Sequence, residues 1–234
     1  MKSAALTNWL PTDRLDDAIF TLDTRAIFFF RIGNPRLFMT ELSQKANEIV
    51  AHTRRLLTTG GYKSFSYADI AEVVQIRKAS IHHHFPGKAD LVRTVVAQYC
   101  EEARAGMSAL DRQLNDPLAE LKAYIGYWSQ CIKDGSSSFC ICVMLAVELP
   151  TLPAEVAAEV SRHFHDLSNW LTSLLEKGQS EGTFKLQETP AVEAKALMAT
   201  VHGAMLAARA FDNADMFQQI IEPVFNRLIA ENSP

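Results

Sequence analysis

The feature that most constrains this chain is residues 65–88, whose pattern predicts two short helices joined by a three-residue turn. In the first helix, Ser66 occupies the N-cap position, and Asp69, three residues later, completes the spacing of a capping box. The second helix runs from about Lys78 to His84 and places Ile81 on its inner face. A turn of this length is typical of a helix-turn-helix, whose second helix enters the major groove of DNA. The stretch therefore predicts a helical DNA-binding unit.

Basic side chains stand at the beginning of two consecutive predicted helices. Arg77 and Lys78 open the second helix of the pair, and Lys88 opens the helix that follows. Because the N-terminus is the positive end of a helix dipole, cations there are mildly unfavourable unless an anion such as phosphate joins them. The alternative is that both lysines extend into solvent. The residues from which we expect DNA contacts are Ser66, Tyr67, Arg77, Lys78, Ser80, His82, His83 and Lys88.

Residues 61–91 resemble the DNA-binding domain of the TetR family of transcriptional regulators. The likeness rests on Gly61-Tyr62, on Asp69-Ile70-Ala71 and on the run Lys78-Ala79-Ser80-Ile81-His82-His83-His84-Phe85-Pro86-Gly87-Lys88. It implies an all-α homodimer that binds a palindromic operator in double-stranded DNA and releases it when a small molecule enters the C-terminal domain. Two positions depart from the family pattern, because His82 stands where Tyr is usual and Arg77 where Ser often caps the helix. The operator sequence therefore cannot be transferred from relatives.

The distribution of charge supports a DNA-binding unit at one end of the molecule. The whole chain has a formal net charge of −4, which by itself argues against nucleic-acid binding. Residues 41–95, however, hold eight Lys and Arg against five Asp and Glu, whereas residues 96–234 hold ten against eighteen. We therefore expect a non-matching extension at residues 1–40, a helix-turn-helix domain at 41–90, and a helical ligand-binding and dimerisation domain at 91–234.

The N-terminal extension shows no helical periodicity and includes a break at Asn34-Pro35. Chains of the resembled family usually begin a few residues before their first helix, and Met39 lies at that distance. We therefore expect translation to begin at Met39 and the residues before it to be dispensable for folding and DNA binding. The alternative is a genuine extension that docks the apolar residues 28–30 elsewhere on the molecule.

The remaining helices are predicted from apolar residues at helical spacing and from Gly and Pro at the helix ends. Residues 139–149 are apolar throughout, which predicts a helix buried on all sides at the centre of the C-terminal domain. A helix that begins at Pro190 is rich in Ala and Gly, and with the long amphipathic helix 154–177 it is a candidate for a four-helix dimer interface. The other predicted helices span about 43–59, 88–110, 117–134 and 214–230.

The C-terminal domain is rich in aromatic residues and Met, more so than a domain that only dimerises requires. The effector implied by the resemblance is therefore expected to be small and largely apolar, aromatic or electrophilic. The predicted ligand-binding residues are Tyr124, Trp128, Cys140, Met144, Trp170 and His202. The alternative is an architectural DNA-binding protein without a ligand, whose C-terminal domain would hold no cavity.

The cysteines have no paired spacing typical of metal sites, and we expect reduced thiols in a cytoplasmic protein. Cys140 and Cys142 lie two residues apart, so on a helix their side chains would point in different directions, with Cys142 in the core. Cys140 is either ordinary packing or a reactive thiol in the first helical turn, at the pocket edge, where it would act as a covalent trigger. Residues 137–153 resemble TetR regulators that include the N-ethylmaleimide-responsive repressor, some of which sense electrophiles through a Cys at this helix start.

Other functional classes find no support in the sequence. Consecutive residues such as His82-His83-His84 point about 100° apart on a helix, whereas helical metal ligands stand three or four residues apart. His163 and His165 lie two residues apart, so by the same geometry they are not expected to bind one ion together. No metal site is therefore expected. The sequence shows no nucleophile elbow, phosphate-binding Gly loop or paired carboxylates, and we expect neither enzyme activity nor a cofactor. No apolar run approaches the roughly 20 residues of a membrane span, so no membrane partner is expected.

Overall fold

The computed structural model describes residues 42–135 and 139–229. Predictions for residues 1–38 concern a part of the chain outside these ranges. Within them, the regular elements are helices, together with one isolated bridge between Phe184 and Ile229. The all-α prediction is therefore confirmed. None of the helices in the described part of the chain is long and apolar enough to cross a membrane.

We number the α-helices in chain order; two single 3₁₀ turns lie between them, at Tyr62–Ser64 and Leu149–Thr151. The helices are α1 Gln44–Gly60, α2 Tyr67–Val74, α3 Lys78–His84, α4 Lys88–Leu114, α5 Pro117–Lys133, α6 Ile141–Val147, α7 Ala154–Ser180, α8 Pro190–Ala210 and α9 Asp215–Leu228.

Helices α1–α3 form the predicted helix-turn-helix. Ser66 caps α2 as expected: its Oγ accepts a hydrogen bond from the N–H of Ala68 at 3.2 Å, and Asp69 Oδ2 accepts one from the Ser66 N–H at 2.6 Å. Ile81 and Phe85 are buried against α1 and α2, as their spacing predicted. Because each of these features depends on neighbours in sequence, the local pattern was sufficient to predict them.

Helix α4 joins the DNA-binding helices to the C-terminal domain. It begins at Lys88 and continues without a break across the predicted boundary at residue 90, to Leu114. In the C-terminal domain α7 packs along α4 on one side and α8 on the other, and α9 packs on α8. The long helix α4 therefore contacts both the helix-turn-helix and the centre of the C-terminal domain.

Helix α6 is shorter and less buried than its apolar sequence predicted. Its backbone becomes helical only after Cys140, which has extended φ and ψ angles of −70° and 127°, and it ends at Val147. The residues facing inward are buried, but the Val147 side chain is 83% exposed. The prediction of a helix buried on all sides was wrong, because a helix of two turns ends at the molecular surface.

Gly178 was predicted to stop α7 but lies inside it, and the helix continues to Ser180. A Cβ atom at Gly178 would stand 2.1 Å from Cδ2 of Phe184, so the absence of a side chain makes room for this ring. The turn that follows uses Gly182, whose φ of +74° favours glycine. Gly178 therefore makes room for the Phe184 ring, and the chain reverses direction later, at Gly182.

We expect Gly178→Ala to destabilise the fold by about 1–3 kcal/mol, because overpacking outweighs the improved helix propensity of Ala. Urea unfolding followed by circular dichroism at fixed protein concentration measures the change. The same substitution in a Phe184→Leu background removes the clashing ring atoms and should cost clearly less than in the wild type. Equal or higher stability of the single variant would contradict this account of Gly178.

Candidate DNA interface and thiol cluster

The outer surface of α3 carries the exposed polar residues that the sequence predicted for DNA contact. Arg77, Lys78, Ser80 and His83 are all exposed, while Ile81 holds the helix to the core. Arg77 is the N-cap, but its side chain makes no capping hydrogen bond. Among the described residues no ion pair involves Arg77 or Lys78. The first turn of α3 therefore presents two cations and free backbone N–H groups to an incoming phosphate.

Two predicted contact residues, Ser66 and Tyr67, are engaged within the domain. The Ser66 hydroxyl is exposed but serves as the α2 cap and donates to Asp69 Oδ2 at 2.9 Å. Tyr67 is buried, and its hydroxyl donates to the carbonyl oxygen of Phe85 at 3.0 Å. This hydrogen bond joins the start of α2 to the end of α3. Tyr67 therefore orients the recognition helix, which differs from the predicted direct contact.

Lys88 does not extend from its helix start toward solvent. Its Nζ donates to the carbonyl oxygen of Phe65 and lies 4.1 Å from the centroid of the Phe65 ring and 4.8 Å from that of Tyr62. Burial lowers the pKa of Lys88, against the opposing effect of nearby carboxylates. In this arrangement the ammonium group stabilises the loop before α2, so the solvent alternative does not describe Lys88, and its phosphate contact stays a prediction.

His82 is exposed and keeps one ring nitrogen available. Its Nδ1 lies 3.0 Å from the carbonyl oxygen of Pro86. Because a carbonyl only accepts, Nδ1 carries the hydrogen, and Nε2 of the neutral ring is left as an acceptor. The ring also packs against Tyr67, with centroids 4.8 Å apart. His82 thus lies at the edge of the α3 surface.

The helix-turn-helix is attached to the C-terminal domain at the end of α1. Glu148, directly after α6, accepts a hydrogen bond from the Tyr62 N–H at 2.6 Å. Arg209, near the end of α8, donates to the carbonyl oxygens of Thr58 and Thr59 at 3.3 and 2.6 Å. Thus Glu148, which follows α6, and Arg209, in the last turn of α8, hold the end of α1 and the 3₁₀ turn after it through charged hydrogen bonds.

A second connection runs from α1 to α4 and the core. Arg54 forms an ion pair with Glu102 at 2.6 Å, and its guanidinium lies 5.1 Å from the ring centroid of Tyr99. The Tyr99 hydroxyl donates to the Cys140 sulfur at 3.1 Å. A continuous series of contacts therefore links the DNA-binding helices to the beginning of α6.

Three side chains that sequence spacing had separated meet in the core of the C-terminal domain. The sulfurs of Cys100 and Cys142 and a ring nitrogen of His163 all lie within 4.8 Å of one another, and all three residues are buried. They come from α4, α6 and α7. We call these three residues the thiol cluster. The prediction that no metal site exists was based on residue spacing along single helices. The residues of this cluster come from three different helices.

Cys140 lies beside the thiol cluster, with its sulfur 3.8 Å from Nε2 of His163. The prediction that Cys140 and Cys142 diverge was wrong, because Cys140 precedes α6 in extended conformation and its sulfur accepts a hydrogen bond from the Cys142 thiol. The predicted place of Cys140 at a pocket edge was also wrong, since its side chain is 0% exposed. Without exposure a thiol is not a ready target for reagents.

Electrostatics within the thiol cluster favour a thiolate beside a protonated imidazole. The hydrogen bond from Cys142 lowers the pKa of Cys100 to about 6, although burial opposes this. Burial would lower the pKa of His163, but hydrogen bonds and charge from Cys100 and Cys140 raise it to about 10. Burial raises the pKa of Cys142, as does hydrogen bonding of its single thiol hydrogen to the sulfurs of Cys100 and Cys140. Burial likewise opposes ionisation of Cys140, but hydrogen bonds from Cys142 and His163 lower its pKa overall.

Comparison with known proteins gives two family matches that follow one another along the chain. Residues 49–95 match the family described as bacterial regulatory proteins, tetR family, and residues 117–224 match the tetracyclin repressor-like C-terminal domain. A TetR-family transcriptional regulator from Agrobacterium tumefaciens is 52% identical, with a TM-score of 0.78, over 80% of this chain and 98% of that one. The chain belongs to the TetR family.

Two further similarities are more distant. The HTH-type transcriptional repressor DhaR of Mycobacterium sp. (strain GP1) is 24% identical over 170 residues, which is 72% of this chain and 84% of DhaR. The reduced form of E. coli NemR is 17% identical, with a TM-score of 0.70 over 81% of this chain and all of that one. Such low identities to solved structures show the shared fold alone. As a member of the TetR family, this protein is a DNA-binding transcriptional regulator.

The predicted ligand-binding residues of this TetR-family regulator are partly assembled. Tyr124 packs on Trp170 with ring centroids 5.4 Å apart, and its buried hydroxyl approaches the Trp128 indole. That hydroxyl makes no hydrogen bond of good geometry with any residue in the described ranges. His202 is buried and packs on Phe164. Burial lowers the pKa of His202, and Cys140 acts against this.

Met144, the remaining predicted ligand-binding residue, lies next to Arg209, whose guanidinium is 3.4 Å from the Met144 sulfur. Two charged residues of this TetR-family regulator that connect its domains escaped the sequence analysis. Glu148 and Arg209 bond to groups 86 and 150 residues away in sequence. No local pattern distinguishes them from ordinary surface charges, so the sequence offered no means of finding them.

Proposed function

We propose that this TetR-family regulator is a repressor that binds a palindromic operator as a homodimer and releases it when a small effector binds its C-terminal domain. The proposal rests on the exposed surface of α3, which presents Arg77, Lys78, Ser80 and His83. The buried side chain of Ile81 holds this helix to the core. DhaR, which is 24% identical to this chain over 170 residues, is a transcriptional repressor, and this supports repression as the direction of regulation.

The mode of DNA contact follows from this surface. Arg77 and Lys78 lie at the start of α3, where backbone N–H groups and the helix dipole already favour a phosphate. Ser80 and His83 lie one helical turn apart on the exposed side, positions from which they reach base edges in the major groove. Tyr67 and Lys88 support this surface from within the domain, and His82 lies at its margin.

An unpartnered apolar stripe on α8 supports homodimer formation. Its members are exposed although all are small or apolar: Val192, Ala196, Ala199, Gly203, Leu206 and Ala210. Helix α9 packs beside α8 and adds the partly exposed Ile220 and Val224. The outward side of α7 is polar, so α9 rather than the expected α7 continues the stripe. Two copies of α8 and α9 would form a four-helix interface.

The effector site that we propose lies between helices α5 and α7. Tyr124 and Trp170 supply aromatic walls there, and the buried Tyr124 hydroxyl is available to one polar group of a ligand. We infer a small, largely aromatic effector with a single hydrogen-bonding group. Its binding would be transmitted through α4 and α6 to the end of α1, where Glu148 and Arg209 hold the helix-turn-helix.

Selection of binding sites from a pool of random double-stranded DNA tests this function. We expect the enriched sequences to be inverted repeats whose half-sites lie in successive major grooves on one face of the duplex, because a twofold dimer presents α3 twice. A duplex with one half-site scrambled serves as the matched control and should bind much more weakly. Enrichment of a single asymmetric site, or of no sequence, would contradict the proposal.

A further inference from the structure

We propose that the thiol cluster, Cys100, Cys142 and His163, is a binding site for a thiophilic divalent cation such as Zn²⁺. Thiolate sulfur and imidazole nitrogen are the donors that Zn²⁺ prefers among protein side chains. Two sulfurs and one nitrogen already converge here from three helices. This proposal does not depend on the operator or on the effector described above.

The spacing of the donor atoms suits a tetrahedral ion. With Zn–S distances of about 2.3 Å, the sulfurs of a tetrahedral site stand about 3.8 Å apart. The donor atoms of the thiol cluster lie within 4.8 Å of one another without an ion. Movements of about 1 Å or less, within reach of side-chain torsions, would therefore bring them to bonding distance.

The neighbouring residues hold the donors in place. The ring of His163 is packed between Tyr99 and Phe164, with centroid distances of 5.5 and 5.9 Å. The Cys140 sulfur lies 3.8 Å from Nε2 of His163 and is itself oriented by the Tyr99 hydroxyl. Such surrounding contacts fix the orientation of ligands and strengthen metal binding.

Charge also balances when the ion binds. Zn²⁺ binds Cys as the thiolate and His as the neutral imidazole, so protons held by these donor atoms leave when the ion binds. The product, a divalent cation with two thiolates and a neutral imidazole, has no net charge, which suits burial in an apolar core.

Titration with Co²⁺ tests the site, because this ion replaces Zn²⁺ and gives visible absorption when tetrahedral. We expect reduced, chelator-treated protein to bind one Co²⁺ per protomer with thiolate-to-metal charge-transfer absorption, and Zn²⁺ to displace it. Zn²⁺ should also raise the melting temperature of the wild type. Cys100→Ser, Cys142→Ser and His163→Gln should each lower affinity by more than the roughly 10–100-fold that loss of an outer-shell contact costs.

Cys131→Ser is the matched control, because Cys131 is also buried but lies on α5, outside the thiol cluster. It should bind Co²⁺ as the wild type does. Circular dichroism of each variant shows whether it is folded, and His163→Gln tests the site without removing a thiol. Absence of charge-transfer absorption in the wild type would overturn the proposal. So would unchanged absorption in folded Cys100→Ser and Cys142→Ser, or loss of the absorption in Cys131→Ser alone.

Discussion

Gly203→Arg is expected to convert the proposed homodimer into a monomer and to lower operator affinity by about 10²- to 10⁴-fold, the gain that two linked sites provide. Gly203 lies in the middle of the exposed apolar stripe of α8. A Cβ atom at this position meets no atom within 4 Å in the described part of one protomer. The substitution should therefore leave the protomer folded, and the higher helix propensity of Arg would favour α8 by somewhat less than the roughly 0.8–1.0 kcal/mol that separates Gly from Ala.

The same position becomes crowded if two copies of α8 pack together. Small residues allow helices to approach closely, and a long charged side chain between them would have to be buried without a partner. Analytical ultracentrifugation would measure the change in mass, and fluorescence anisotropy with labelled operator the change in affinity. Both measurements need the same protein concentration, because dimer stability depends on it.

Ala158→Arg provides the control for the dimer prediction. Ala158 is an exposed helical residue on the outward side of α7, among polar neighbours. The substitution adds the same charge and bulk and should leave both the mass and the operator affinity unchanged. A dimeric Gly203→Arg protein with wild-type affinity would show that α8 is not the interface.

The double substitution Arg77→Ala and Lys78→Ala should weaken operator binding and flatten its dependence on salt. Each phosphate contact contributes about 0.9 to the slope of log affinity against log salt concentration. A dimer loses four such contacts, so the slope should fall in magnitude by about 3.6. Because phosphate contacts carry no sequence information, binding to scrambled DNA should weaken as well.

Lys133→Ala is the matched control for this experiment. Lys133 is exposed at the end of α5, in the C-terminal domain, and its removal changes the net charge without touching α3. Its salt slope should equal that of the wild type, which separates local contact from a general effect of charge. A wild-type slope in the double variant would exclude the proposed docking of α3.

Much of the DNA-binding domain could be predicted from sequence, because the interactions that define it are local. The Ser66 cap, the inward positions of Ile81 and Phe85 and the exposure of Lys78 each depend on residues within about one turn of helix. The bounds of the short α2 and α3 followed from the same patterns. An all-α class and a helical C-terminal domain likewise required only apolar periodicity and helix-ending Gly and Pro.

The placement of polar groups between helices was decided only by the tertiary structure. Lys88 points inward and donates to the carbonyl oxygen of Phe65, and the Tyr67 hydroxyl donates to that of Phe85. From the sequence, both side chains were predicted to contact DNA. Cys140 is buried, with an extended backbone at the N-cap of α6 that apolar composition does not reveal. Gly178 resembled a helix end until Phe184 was seen to occupy the space beside it.

The thiol cluster shows the difference most clearly. Sequence spacing identifies neighbours on one helix, and it gave no reason to place Cys100, Cys142 and His163 close together. Their convergence to within 4.8 Å depends on how α4, α6 and α7 pack against one another. Helix–helix packing is set by side-chain complementarity over whole faces, so contacts between distant residues are a property of the assembled fold. The sequence by itself determined the helices and the surface of α3, whereas helix packing determined which buried groups meet.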